Sequence, residues 1–99
     1  MRVVFTDEAL RDLDEILEFI ATHYPAIVSS FQQRLRAVLQ RIGRWPKSAE
    51  EVEQRPGVRV VPLIRYPYKM FYQTTADAVE ILHIHYAARQ SPWNERGNS

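Results

Sequence analysis

Residues 57–89 read GVRVVPLIRYPYKMFYQTTADAVEILHIHYAAR and contain three strand-like runs. The runs are rich in β-branched and aromatic residues, which strands favour, and turn-forming residues separate them. We place them at about 57–64, 68–74 and 78–86. Because three strands with such short connections usually pair with their neighbours along the chain, we predict an antiparallel meander.

A strand and a first helix open the chain. Residues 2–5 are β-branched or aromatic after Arg2, and Thr6 is a candidate N-cap for a helix at about 7–23. Five apolar residues then recur at helical spacing and predict one buried stripe: Leu10, Leu13, Ile16, Leu17 and Ile20. Pro25 predicts the end of this helix at the residue before it.

A second helix is predicted at about 25–43, with Pro25 in its first turn and Gly43 as its stop. Its apolar stripe comprises Val28, Phe31, Leu35, Val38, Leu39 and Ile42. Residues 44–56 are read as a polar connector to the meander. After Arg89, the sequence Ser91-Pro92-Trp93 is a candidate for docking back onto the domain.

The order strand, two helices, three strands predicts an α+β fold. In this fold a helical hairpin packs on one face of a twisted antiparallel sheet, and the opposite sheet face is left free for binding. The 99 residues predict a single domain over 1–99, with a short flexible tail from about 94.

Composition excludes several classes of protein. The absence of cysteine excludes disulfides and cysteine-based metal sites. No apolar run approaches the length of a membrane span, and acidic residues follow the first apolar run too soon for a signal peptide. These features lead us to expect a cytoplasmic protein.

The net charge of +1 conceals an uneven distribution. Residues 1–23 hold six acids and two arginines, a local charge of −4, whereas residues 26–47 hold five basic residues and no acid. The basic block either faces an anionic partner or attracts the acidic helix beside it.

Basic and aromatic residues of the meander are the candidates for contact with a target: Arg59, Arg65, Tyr68, Lys69 and Arg89. Arginine offers a donor fork that fits a phosphate or a carboxylate. The alternative is that these charges keep exposed strands from pairing with other chains. Tyr66, Tyr68 and Tyr72 either stack on a ligand or pack across strands.

His83 and His85 are two apart on one strand and therefore point to the same side. A zinc pair needs further ligands, and His23 is the only other histidine, so we expect no metal site and no cofactor. Acid–base chemistry on an RNA 2′-hydroxyl is possible, because histidine titrates near neutral pH. The alternative is that both histidines pack in or beside the core.

The chain resembles the ParE/RelE superfamily of bacterial toxins from type II toxin–antitoxin systems. The resemblance covers most of the chain and rests on an ordered set of residues: Ala9, Leu13, Ile16, Phe19, Ile20, Pro25, Phe31, Trp45, Pro46, Gly57-Val58-Arg59, Tyr66-Pro67-Tyr68, Phe71-Tyr72, Val79 to Ile84, Ala88, Arg89 and Pro92. It implies a small toxin held inactive by a cognate antitoxin, which we expect to be of the ribbon-helix-helix type, and a role in plasmid stabilisation. The sequence does not identify the antitoxin-binding residues.

The superfamily offers two activities, and the sequence departs from the nuclease pattern. ParE-type members inhibit DNA gyrase and are not enzymes, whereas RelE-type members cleave messenger RNA on the ribosome. Tyr86 stands where members of the superfamily often carry a histidine, and His83 stands where an arginine is common. Residues 91–96 offer no tyrosine, which RelE-type members usually have near the C-terminus. The motif from Tyr66-Pro67-Tyr68 to Phe71-Tyr72 and the long helical hairpin resemble ParE-type members, so we expect a ParE-like gyrase inhibitor. The alternatives are a ribonuclease using His83, His85, Tyr86 and Arg89, and a degenerate member that only binds its antitoxin.

Overall fold

A computed structural model describes residues 1–89 and 92–93 of the chain, so the predicted tail from about 94 lies outside the described residues. The elements are β1 (Arg2–Phe5), α1 (Asp7–His23), a 3-10 turn (Pro25–Ile27), α2 (Val28–Arg44), β2 (Glu50–Glu51), β3 (Val58–Pro62), β4 (Tyr68–Thr74) and β5 (Ala78–Tyr86). Both helices pack on one face of an open five-stranded sheet of order β1-β5-β4-β3-β2. The predicted α+β fold is confirmed.

The sheet is mixed and has one strand more than the sequence predicts. β3, β4 and β5 form the predicted antiparallel meander. β1 instead pairs in parallel with the first half of β5, from Arg2 opposite Ala78 to Phe5 opposite Ile81. The connector contains β2, which pairs antiparallel with β3. Glutamate has a low preference for strands, so Glu50 and Glu51 do not predict one. This short strand forms because its backbone pairs with β3.

Two predicted boundaries differ from the structure. β3 ends at Pro62 rather than 64, because the chain turns there: Leu63 N–H donates to the Tyr68 carbonyl at 2.9 Å, and Arg65 has a φ of 84°. The α-helical part of the second helix begins at Val28. Ile27 N–H donates to the Tyr24 carbonyl at 3.0 Å, so the segment after Pro25 starts as a 3-10 turn.

Gly43 lies within α2, which continues to Arg44, so its predicted role as a helix stop is wrong. A Cβ at this position would lie 3.0 Å from the Met1 carbonyl oxygen and 3.2 Å from Val3 Cγ2. The glycine therefore lets β1 approach the helix closely. The N-terminal ammonium group uses this approach and donates to the Gly43 carbonyl at 2.9 Å.

Thr6 caps α1, as the sequence predicts. Its Oγ1 accepts the Ala9 N–H at 3.2 Å and donates to the Ile81 carbonyl at 3.0 Å. Asp7 and Glu8 occupy the first turn, where the positive end of the helix dipole stabilises acids. One side chain thus fixes the start of α1 against the middle of β5.

The main core lies between the helices and the sheet. Its fully buried side chains include Phe31 and Ile42 from α2 and Met70, Tyr72, Val79 and Ile81 from the sheet. Within the described residues, no helix combines the length and apolar character needed to cross a bilayer.

The opposite sheet face carries a second, smaller cluster. Val52, Val58 and Phe71 are buried there, and Trp93 packs its ring at 5.4 Å from that of Phe71, edge to face. The candidate docking of residues 91–93 is confirmed for Trp93, and Ser91 lies outside the described residues. The face is therefore open over part of its area and covered by the chain over another part.

We expect Ile42→Ala to lower the free energy of unfolding by about 2–5 kcal/mol, because it leaves a cavity in the main core. Leu10→Ala removes a similar side chain from the same hairpin, but Leu10 is 47% exposed, so its loss should lie within roughly 1 kcal/mol. Urea unfolding of both variants checks this. Equal losses would contradict the placement of the core.

Candidate functional site

A bulge in β5 decides which side chains face the open side of the sheet. Phe71 pairs with His83, but the next residue of β4, Tyr72, pairs with Ile81, so Leu82 is an extra residue in β5. The insertion shifts the alternation of side chains by one position. Ile81 and Ile84 therefore both face the helices, and His83 and His85 lie on the open face.

Helix α1 covers the part of β5 that β1 does not reach. β1 ends at Phe5, opposite Ile81. Farther along the same edge, the Ile84 N–H donates to Asp12 Oδ2 at 3.0 Å. A carboxylate thus replaces a strand as the hydrogen-bond partner at this edge, which brings the acidic face of α1 beside the two histidines.

A cleft forms where α1 meets the end of β5, and we call it the histidine cleft. Its lining residues are Glu8, Arg11, Asp12, Glu15, His83, His85, Arg89 and Pro92. His83 lies between two carboxylates, with Nδ1 at 3.7 Å from Asp12 Oδ2 and Nε2 at 3.8 Å from Glu8 Oε1. The cleft combines three carboxylates, two guanidinium groups and two imidazoles.

His85 is the buried member of the cleft. Only 6% of its surface is exposed, and its ring packs edge to face on Phe71 at 5.9 Å. Among the described residues, Nδ1 of His85 has no hydrogen-bond partner. Burial lowers the pKa of the His85 imidazole, and the nearby Arg89 guanidinium lowers it further, because both disfavour a positive charge there.

The four residues predicted for a ribonuclease do not all meet. His83, His85 and Arg89 line the same cleft. Tyr86 pairs with Tyr68, so its side chain lies on the helix-facing side, with the two rings 5.8 Å apart. The sheet therefore separates Tyr86 from the histidines.

Of the five residues predicted to contact a target, Lys69 and Arg89 meet on the open face. Lys69 pairs with His85 across β4 and β5, and its Nζ donates to the Arg89 carbonyl at 2.9 Å. The Arg89 side chain is exposed at the rim of the histidine cleft. These two cations border the cleft on one side.

Arg59 lies on the helix-facing side, opposite Tyr72, and holds the connector in place. Its Nη1 donates to the Ala49 carbonyl at 2.7 Å, and the Tyr72 hydroxyl donates to the Pro46 carbonyl at 2.6 Å. Burial raises the pKa of Tyr72. The structure thus gives Arg59 a role in fastening residues 46–49 to the sheet.

Arg65 and Tyr68 lie apart from the histidine cleft. Arg65 is exposed in the turn between β3 and β4. Tyr68 is buried on the helix-facing side, and its ring packs edge to face on that of Phe31 at 5.9 Å. Burial raises the pKa of Tyr68, and the nearby Tyr86 raises it further. The predicted target residues therefore do not form one continuous surface.

The sequence does not reveal the acidic wall of the cleft, which Glu8, Asp12 and Glu15 form. Glu8, Asp12 and Glu15 recur at the spacing of one helical face, but no sequence pattern separates them from the other acids of residues 1–23. Asp12 also supplies a third metal-ligating side chain beside His83 and His85. We expected no metal site because the sequence showed no further ligand for the two histidines. One ligand atom from each of Asp12, His83 and His85 lies within 4.8 Å of the other two.

We expect Asp12→Ala to destabilise the protein by about 1–3 kcal/mol, because it leaves the Ile84 N–H without its partner. Asp14→Ala is the matched control, since Asp14 is exposed on the same helix. Chemical denaturation of both variants measures the difference. Equal stability of the two would show that the Asp12 bond contributes nothing.

Comparisons with known proteins agree with this architecture. A search of curated proteins finds no match. Among solved structures, the chain is similar to a protein of the chromosomal ParDE toxin–antitoxin system from P. aeruginosa, with a TM-score of 0.73, 23% identity, and coverage of 87% of this chain and 95% of that one. It is also similar to the isolated E. coli RelE toxin, with a TM-score of 0.63, 17% identity, and coverage of 98% and 95%.

A third similar structure is the YoeB/ParE toxin from Agrobacterium tumefaciens, with a TM-score of 0.62, 14% identity, and coverage of 87% of this chain and 98% of that one. At these identities the likenesses establish the fold. The family described as ParE toxin of type II toxin-antitoxin system, parDE, matches residues 3–91, which is most of the chain. The chain therefore belongs to the ParE toxin family of type II toxin–antitoxin systems.

Proposed function

We propose that this toxin inhibits DNA gyrase by binding it, without catalysing a reaction, and that a cognate antitoxin neutralises it. Membership of the ParE family supports this proposal, and so does the resemblance to ParE-type gyrase inhibitors. The RelE likeness keeps a ribosome-dependent ribonuclease as the rival, because RelE shares the fold.

The acidic wall of the histidine cleft is the main observation that favours gyrase inhibition over cleavage of RNA. RNA is recognised largely through its phosphates, which cationic side chains bind and carboxylates repel. Glu8 and Asp12 lie within 4 Å of His83, and Glu15 lines the same cleft. With Lys69 at its border, the cleft sets three carboxylates against three cations, so it has no excess of positive charge to hold a scissile phosphate.

The histidines themselves also favour the non-enzymatic function. A general base must come within hydrogen-bond reach of the proton that it removes. His85 is nearly fully buried, and Tyr86 lies on the other side of the sheet. Three of the four residues of the ribonuclease hypothesis share a cleft, but only His83 and Arg89 offer accessible polar groups there.

The target contact that we propose centres on Lys69 and Arg89. Both cations lie at one border of the cleft on the open face, where a protein partner could offer carboxylates to them. Arg65 is also exposed, but it lies in the turn between β3 and β4 and does not line the cleft. Arg59 and Tyr68 lie on the helix-facing side of the sheet. Arg59 binds the connector there, and Tyr68 packs in the main core.

The direct test compares two assays of the purified protein. We expect it to block supercoiling by gyrase and to leave ribosome-bound messenger intact. Arg89→Ala should weaken gyrase inhibition roughly tenfold, equivalent to about 1.4 kcal/mol. Arg36→Ala removes an exposed arginine from α2 and should leave inhibition unchanged.

Codon-positioned cleavage of messenger would replace this proposal with the ribonuclease. Inactivity in both assays, together with normal antitoxin binding, would identify a degenerate member. Arg59→Ala is a weaker test, because it also removes the bond to the connector and should lower the melting temperature.

For the antitoxin we propose the groove between α2 and β1. Its apolar floor includes Met1, Val3, Leu39 and Trp45, and its rim is basic: Arg36, Arg41 and Arg44. β1 is an end strand of the sheet, so one of its edges lacks a strand partner. Over residues 1–89 and 92–93, no ion pair joins α1 to α2, so the basic block is available to an acidic segment.

The partner that we expect is an amphipathic, acidic segment of a ribbon-helix-helix antitoxin encoded by a neighbouring reading frame. Such a segment would fold as it binds, laying its apolar side on the floor and its acids along the rim. Where the pair is carried on a plasmid, it would act in plasmid stabilisation.

We expect Arg44→Glu to weaken antitoxin binding about tenfold, because charge reversal replaces attraction with repulsion at the rim. Arg11→Glu makes the same change of charge in the histidine cleft and should have little effect. Titration calorimetry with the product of the neighbouring frame, at two salt concentrations, measures both. Equal weakening by the two variants would place the antitoxin elsewhere.

A further inference from the structure

We propose that Asp12, His83 and His85 form a binding site for one divalent transition-metal ion, with Zn²⁺ as the ion that fits best. The site lies in the histidine cleft, at the junction of α1 and β5. It goes beyond gyrase inhibition and does not depend on it.

The geometry of the three donors carries the first part of the argument. One ligand atom from each residue lies within 4.8 Å of the other two. Zn²⁺ holds nitrogen and oxygen donors at about 2.0–2.2 Å in a tetrahedron, which places the donors roughly 3.4 Å apart. Side-chain rotations that bring the donors closer together by up to roughly 1.4 Å would close that difference. Two imidazoles and one carboxylate leave the fourth position to water, as at open zinc sites.

His85 supplies a second and independent observation. His85 is 6% exposed, and its Nδ1 has no hydrogen-bond partner among the described residues. A buried polar atom without a partner is uncommon in folded proteins and is destabilising. A metal ion coordinated through Nδ1 of His85 would satisfy this atom.

The surroundings also position the other two ligands. The Ile84 N–H donates to Asp12 Oδ2 at 3.0 Å and so fixes the carboxylate on β5. Glu8 Oε1 lies 3.8 Å from His83 Nε2 and is placed to orient that ring after a small movement, while Nδ1 faces Asp12. Carboxylates and backbone groups that hold the ligands in this way are typical of metal centres.

Charge in the cleft points to the class of metal. Glu8, Asp12 and Glu15 favour a cation, whereas Arg11, Arg89 and Lys69 oppose it. These opposing charges nearly cancel, so the cleft does not suit Ca²⁺ or Mg²⁺, which need several oxygen ligands. Two imidazole nitrogens instead favour Zn²⁺ and its neighbours Co²⁺, Ni²⁺ and Cu²⁺.

The test uses the full-length protein without a histidine tag, freed of metal with EDTA. Competition with a chromogenic chelator should reveal one Zn²⁺ bound per chain, and millimolar Mg²⁺ should not displace it. Co²⁺ should produce visible absorption bands of a tetrahedral site. Zn²⁺ should also raise the melting temperature, since an ion that binds the folded state stabilises it.

Single-ligand variants make the proposal specific. His83→Ala and His85→Gln should each weaken Zn²⁺ binding by more than about 100-fold, beyond the 10–100-fold typical of losing an outer-shell partner. His23→Ala removes an exposed histidine at the end of α1 and should bind as the parent does. Circular dichroism confirms that each variant is folded.

Equal Zn²⁺ affinity in the parent and in His83→Ala would overturn the site, as would the absence of one-to-one binding by the parent. His83 is only half-buried, so its variant remains informative if His85→Gln fails to fold. The readouts are binding and spectroscopy. A failure here is therefore distinguishable from a failure to inhibit gyrase.

Discussion

The hydrogen bond from the Ile84 amide to Asp12 is the interaction on which the rest of the site depends. β1 has four residues and β5 has nine, so β1 covers only the first part of the edge of β5. An uncovered edge leaves backbone donors without partners. Thr6 ends β1 and starts α1, and the helix then brings Asp12 to the next free donor.

Two consequences follow from this arrangement. The first is that α1 presents an acidic face to the end of β5, beside the histidines. The second is that the bulge at Leu82 turns His83 and His85 onto the open face instead of into the core. The resulting cleft has no excess of positive charge, and it gathers metal-ligand types in one place. Both the proposed binding function and the proposed metal site derive from this pairing of α1 with β5.

Local sequence patterns predicted much of the fold. The helices, the Thr6 cap and the three-stranded meander each follow from periodicity or capping within a short window. The parallel pairing of β1 joins residues more than seventy positions apart, so no local pattern reveals it. The two-residue strand at Glu50–Glu51 is likewise defined by its partner.

The site was less predictable than the fold. That His83 and His85 point to one side follows from strand geometry, but the side they face depends on a one-residue bulge. Asp12 appears in the sequence as one of six acids in residues 1–23, and its role arises only through a contact across 72 positions. Arg59 carries the charge of a binding residue, yet its position opposite Tyr72 directs it to the connector.

Amide hydrogen exchange at Ile84 is the most direct test of the hydrogen bond from this amide to Asp12. This amide lies beyond the end of β1, so its protection depends on Asp12 rather than on a neighbouring strand. We expect exchange as slow as that of amides bonded between β4 and β5, which open only with the cooperative unit around them. Exchange at the rate of an unbonded, exposed amide would contradict this expectation.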